Sequence, residues 1–144
     1  MFINSKKSEA PDFDKVAVID ADGESQKPDA DLVIWRIEND KPVKYIILSL
    51  KTSLRERAGQ TYRWKLLMEI AGAKDGNEIK SKYNITYEPP LTPLVCFATV
   101  NFYNEIGNPQ SKGMLKFFDK AFIGKEIVAD FISNLSELPE FVNQ

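Results

Sequence analysis

PDADLVIWRIENDKPVKYIILSLKTS, residues 28–53, decides how the chain folds. It holds two apolar runs, Leu32 to Ile37 and Val43 to Lys51, separated by the polar turn string ENDKP at 38–42. Two such runs joined by a short polar loop predict an antiparallel β-hairpin. The second run contains Tyr45-Ile46-Ile47-Leu48 without a polar break, which predicts burial on both faces and a central place in a sheet.

The character of the chain changes after this hairpin. SLRERAGQTYRWKLLMEIAG (53–72) places apolar or small residues at 54, 58, 62, 66 and 70, a helical stripe that stops at Gly72. Ser53 followed by Glu56 fits a capping box at its start. Residues 74–93 read as a loop that Pro89, Pro90 and Pro93 keep from ending as a helix, and LVCFATVNFY (94–103) reads as another buried strand. Met114, Leu115, Phe118 and Phe122 are spaced for one helical face, and Ile127, Phe131, Ile132 and Leu135 predict a second helix after Gly124. Before the hairpin, KVAVID (15–20) reads as a strand ending in the turn ADGES, and residues 1–14 as a flexible lead-in. The order strand, strand, strand, helix, strand, helix, helix predicts one α/β (α+β) domain over 1–144, a central mixed β-sheet flanked by helices.

Composition narrows the chemistry. With 144 residues, 43% hydrophobic and 28% charged, and nine Phe, five Tyr and two Trp, the chain can bury a real core. No apolar run approaches the roughly 18 residues of a bilayer span, and Met1 opens a polar stretch, so a cytoplasmic protein without membrane partners is expected. A single cysteine, Cys96, excludes a disulfide framework and a cysteine metal cluster. The absence of histidine excludes Ser-His-Asp and Cys-His machinery and an imidazole base. Catalysis by this chain must use carboxylates, lysine, hydroxyls and a hard cation such as Mg²⁺.

Asp31 immediately precedes the first hairpin strand and Lys51 ends the second. A turn at 38–42 puts both at the same open end, where a carboxylate and an ammonium can converge. Metal-assisted phosphodiester hydrolysis uses such a pair: the acid holds the cation, and the lysine positions water or neutralises developing charge. Each residue also has a plainer reading, Asp29 and Asp31 as turn acids and Lys51 as a solvated strand end.

Pro28-Asp29-Ala30-Asp31-Leu32-Val33, followed by Ser49-Leu50-Lys51-Thr52-Ser53 and the string KTSLRERAGQ, resembles the PD-(D/E)xK nuclease superfamily and within it the type II restriction endonucleases. The likeness covers about residues 15 to 100. It implies a restriction-endonuclease-like fold and a Mg²⁺-dependent endonuclease, with Mn²⁺ as substitute, that cuts double-stranded DNA. Such an enzyme belongs to restriction-modification and is a homodimer if it cuts both strands of a symmetric site. The same resemblance implies Asp31 as metal ligand, with Asp29 as its understudy, and Lys51 as catalytic lysine. The middle acid of the motif should stand two residues before the lysine, where this chain has Ser49. Some relatives bring that acid from the following helix, roughly thirteen or fourteen residues after the lysine, but Trp64 and Lys65 stand there. Glu56 and Gln60, one turn apart on a helix face, are the remaining candidates, with Glu69 further along and the Leu50 carbonyl as a further oxygen donor. Glu56 also has its capping role to fill.

The net charge of −2 and pI of 5.3 argue against a nucleic-acid partner only as an average. Residues 51–65 hold five basic residues against Glu56, a net +4, while the rest of the chain has 14 basic and 20 acidic residues, a net −6. Arg55, Arg57, Arg63 and Lys65 are therefore expected to contact DNA phosphates, with a solvated helix face as the plain alternative. Residues 74–90 are a candidate DNA-facing insertion, while Trp35, Trp64 and the phenylalanines of 117–122 have core periodicity. Two rival functions stand beside the restriction enzyme: a DNA-binding or assembly module that lost its middle acid at Ser49, and a structure-specific repair or recombination nuclease. The segment MFINSKKSEAPDFD matches poorly the helix that superfamily members place before the first strand, which reads as a catalytic portion of a longer enzyme.

Overall fold

The computed structural model describes residues 2–4, 9–52, 58–100, 108–126 and 129–144. Its centre is the hairpin of β4 (Leu32–Glu38) and β5 (Lys41–Lys51), paired from Leu32 opposite Leu48 to Glu38 opposite Lys41. Asn39 and Asp40 both take left-handed φ values, 50° and 61°, the backbone that matches a tight turn to the twist of its strands. Residues 45–49 of β5 are buried, the apolar run 45–48 together with Ser49, as expected of a strand covered on both faces.

β5 then changes the sheet from antiparallel to parallel. On one side stand β4 and the edge strand β1 (Phe2–Asn4), both antiparallel; on the other β7 (Leu94–Thr99), β8 (Lys120–Ile123) and β9 (Ile132–Asn134) follow in parallel. The fold is thus α/β, a six-stranded mixed sheet flanked by helices. One face buries Val33, Trp35, Ile47, Val95 and Phe97 against Val16 and Ala17 of α1 (Phe13–Ala17) and Trp64, Met68 and Ala71 of α2 (Ala58–Gly72). The other buries Ile34, Ile46, Leu48, Cys96 and Phe122 against Val142 of α5 (Leu138–Asn143). A second sheet has the order β3 (Glu24–Gln26), β2 (Ile19–Ala21) and β6 (Ile85–Thr86).

Several expectations are corrected. Phe2–Asn4 pairs with β4 and is sheet, not lead-in. KVAVID divides into the end of α1 and the start of β2, because Lys15 and Val16 donate their N–H groups to Asp12 O and close a helical turn. The 74–93 loop contains the short helix α3 (Asn77–Lys82) and β6. The helix predicted through Phe122 covers only α4 (Pro109–Met114) and a 3-10 turn at Leu115–Phe117; Phe122 is in β8. Asp119 starts that strand by exchanging bonds with Val95, donating N–H to its carbonyl and accepting its N–H on Oδ2. The helix predicted from Ile127 is replaced by β9 at Ile132–Asn134; Asn134 and Glu137 then form the capping box of a 3-10 turn that leads into α5. Residues 127–128 and the 101–103 end of the predicted 94–103 strand lie outside the described residues, as does the Ser53–Glu56 capping box. α2 ends at Gly72 as expected, but its stripe is turned: Thr61, Trp64, Lys65, Met68 and Ala71 are buried, while Tyr62 and Leu66 are half-buried and Ile70 is exposed.

Candidate active site

The hairpin brings Asp29, Asp31 and Lys51 together at its open end. Lys51 Nζ lies 3.0 Å from Asp29 Oδ2 and 3.1 Å from Asp31 Oδ2. The lysine side chain is 10% exposed, against 27% for Asp29 and 38% for Asp31, so the ammonium is the enclosed member and the acids face the opening.

Local backbone logic places Asp31. Its N–H donates to Leu48 O at 3.0 Å, extending the ladder one step past Leu32. The next ladder partner on β5, Leu50 N–H, is bonded at 2.7 Å by Asp31 Oδ2. The carboxylate thus stands in for a strand carbonyl and closes the hairpin end, a short charge-assisted bond that fixes its orientation. Asp29 enters from the segment after β3 and meets the same ammonium from the other acid's neighbourhood.

Ser49 lies on the same face of β5 as Lys51, two residues back. It is fully buried, and its Oγ accepts a hydrogen bond from the equally buried Thr61 of α2 at 3.3 Å. The position of the motif's middle acid is therefore filled by a pair of neutral hydroxyls. Thr61 is the residue that sequence reasoning passed over; its signal is a polar side chain in line with Trp64 and Met68 on the apolar face of α2.

The helix candidates separate. Gln60 and Arg63 are exposed on α2. Lys65 is not a phosphate contact: it is 2% exposed, bonded to Glu69 and 3.1 Å from Asp119 Oδ2, inside the fold. α2 therefore runs from the Ser49 end of β5 to the Val95 end of β7, which carries Glu69 away from Lys51. Trp64 and Trp35 are core, as are Phe118 and Phe122, whereas Phe117 is exposed and packs edge-on to Tyr62. Glu56, Arg55 and Arg57 lie outside the described residues. Lys74, Asn77 and Lys80 line a groove of about 620 Å³ at the C-terminal end of α2, where Lys80 Nζ donates to Ala73 O. Burial pushes the Cys96 thiol up to about 12, so it takes no part in nucleophilic chemistry.

The donor set fits a hard cation of the Mg²⁺ class. Such an ion is held by one or two carboxylates and otherwise by water and phosphate oxygens, and Asp29 and Asp31 offer two carboxylates at one opening. Among the described residues no group of three or more Asp, Glu, His or Cys side chains is placed to hold a metal ion.

Residues 3–141 match the family described as BsaWI restriction endonuclease type 2. No curated protein matches the chain.

Proposed function

The chain belongs to the BsaWI family of type II restriction endonucleases, and from that membership we propose that its hairpin-end site hydrolyses phosphodiester bonds of double-stranded DNA with Mg²⁺, or Mn²⁺ as substitute. The observation that carries this reading is the convergence of Asp29 and Asp31 on Lys51. Asp31, oriented by Leu50 N–H, and Asp29 hold the cation through their carboxylates. Bound there, the ion supplies Lewis-acid polarisation of a phosphate oxygen and a lowered pKa for the attacking water. Lys51 carries its charge on the last residue of β5, where it binds a non-bridging phosphate oxygen and offsets the charge that builds up in the transition state. Ser49 and Gln60 support the site from β5 and the start of α2, Glu56 is the sequence candidate for a further ligand, and Arg63 contacts the DNA backbone, with Arg55 and Arg57 assigned the same role on their sequence positions.

A homodimer acting on a two-fold symmetric site accounts for cleavage of both strands. A restriction-modification role places the enzyme in the cytoplasm with the DNA it cuts; no helix among the described residues is long and apolar enough to cross a membrane. Supercoiled plasmid incubated with Mg²⁺ tests the proposal. Wild type cuts and Lys51→Ala does not, and equal nicking by both proteins refutes the assignment.

The buried Ser49–Thr61 pair favours one second reading, a catalytically impaired DNA-binding or assembly module. Calorimetry separates the two. The module binds DNA without a Mg²⁺ or Mn²⁺ site and without cleavage.

A further inference from the structure

We infer that Lys51 serves as the resident counter-ion of the cation site, holding Asp29 and Asp31 together in the metal-free protein and leaving them when a divalent cation enters. This rests on the reading of the two acids as the cation's ligands. Both ion pairs are made by one nitrogen to the two Oδ2 atoms, at 3.0 and 3.1 Å, with the lysine nine-tenths enclosed. Two carboxylates this close repel each other unless a positive charge lies between them. The ammonium supplies that charge, and Asp31 is braced from behind by Leu50 N–H. The acids are therefore gathered at the opening in the metal-free protein, with the ammonium in the place a cation would take.

The arrangement also sets a competition. A divalent ion drawn to Asp29 and Asp31 meets an ammonium already bonded to both, and either it displaces Nζ or it binds against a nearby like charge. The ammonium and an entering cation would stand within ion-pair distance of the same two Oδ2 atoms, and the partial exposure of both acids screens their repulsion, which holds the expected effect on metal affinity to about tenfold. Displacement has a use as well, since it releases the lysine toward the opening where a phosphate would lie. Lys51 thus couples cation entry to delivery of its own charge.

Two measurements on the full chain without DNA test this. Titration calorimetry with Mn²⁺ is expected to show about tenfold tighter binding to Lys51→Met than to wild type, while Lys51→Arg, which keeps the charge, stays within about threefold of wild type. Amine acylation of wild type, read by mass spectrometry of the Lys51 peptide, is expected to be slow without metal and several-fold faster with saturating Mn²⁺. It needs no variant to fold. Equal or weaker Mn²⁺ binding by Lys51→Met, or unchanged acylation, overturns the counter-ion role while leaving the metal site standing. Absence of Mn²⁺ binding in wild type and Lys51→Met alike overturns the metal reading and this inference with it.

Discussion

Asp31 Oδ2 accepts the Leu50 N–H at 2.7 Å and so takes the place of a strand carbonyl at the end of the β4–β5 ladder. The same atom lies 3.1 Å from Lys51 Nζ. One carboxylate oxygen therefore ends the hairpin and begins the site, which makes Asp31 both structural and chemical.

Asp31→Asn and Asp31→Ala should divide these roles. The amide oxygen of Asn still accepts the Leu50 N–H, so the variant keeps wild-type stability within about 0.5 kcal/mol but loses at least about 100-fold in cleavage rate, as removal of a charged ligand implies. Alanine loses the bond as well, costing about 1 kcal/mol more at this partly exposed position. Melting curves beside plasmid cleavage check both; full activity in Asp31→Asn would refute its role.

Lys65 and Arg63 stand two residues apart on α2 and should behave oppositely. Arg63→Ala is expected to weaken DNA binding and lower the slope of log affinity against log salt by about 1, whereas Lys65→Met leaves that slope unchanged. Asp119→Ala leaves Lys65 with Glu69 alone and Val95 N–H without its acceptor, a loss of about 3 kcal/mol and roughly 10 °C in melting temperature.

The hydroxyl pair beside the site makes its own prediction. Thr61→Val removes one buried hydrogen bond and should cost about 1 kcal/mol without abolishing cleavage. Ser49→Asp places a carboxylate where there is no room for water, raising its pKa. Its destabilisation should exceed about 2 kcal/mol at pH 7 and fade as pH drops to about 3, below the ordinary aspartate pKa of about 3.9, where the side chain is neutral in the folded and unfolded chains alike. Denaturant melts at the two pH values check this, and a stable, pH-insensitive Ser49→Asp protein would contradict the buried placement.

Alkaline pH should destabilise the fold through Cys96. Its thiol is raised from 9.0 to about 12 by burial, with Asp119 adding to the shift. The unfolded thiol ionises first, so stability is whole below about pH 9 and falls by more than 1 kcal/mol per pH unit above it until the folded group titrates. Tyr87, also raised by burial to about 12, adds to the slope above pH 10. Urea melts at pH 8 and pH 10 should show the loss, and Cys96→Ala should flatten it.

The hairpin, its turn, the central position of β5 and the meeting of Asp31 with Lys51 were legible because each depends on residues close in sequence. A period of two, a short polar turn and a strand starting directly after an acid determine register, and register determines which ends meet. The cation and hydroxyl partners across α2 were not legible in this way. A lysine in a basic segment looks like a phosphate contact; Glu69 is one helical turn away, but the partner that holds the ammonium inside the fold, Asp119, stands 54 residues downstream. Likewise, Phe118 and Phe122 at a four-residue spacing fit a helix, until pairing with β7 turns Lys120–Ile123 into a strand.

By itself the sequence determined the chemistry open to this protein and the end of the hairpin where it gathers: carboxylates and a lysine, without histidine or a reactive thiol. Tertiary structure decided which polar side chains turn inward and what fills the place of the missing acid. The physical reason is that a polar group is buried only where a partner satisfies it. For Thr61 the partner is Ser49 on β5, and for Lys65 the distant partner is Asp119 beside β8, so the i,i+4 pairing with Glu69 does not by itself announce that the lysine turns inward.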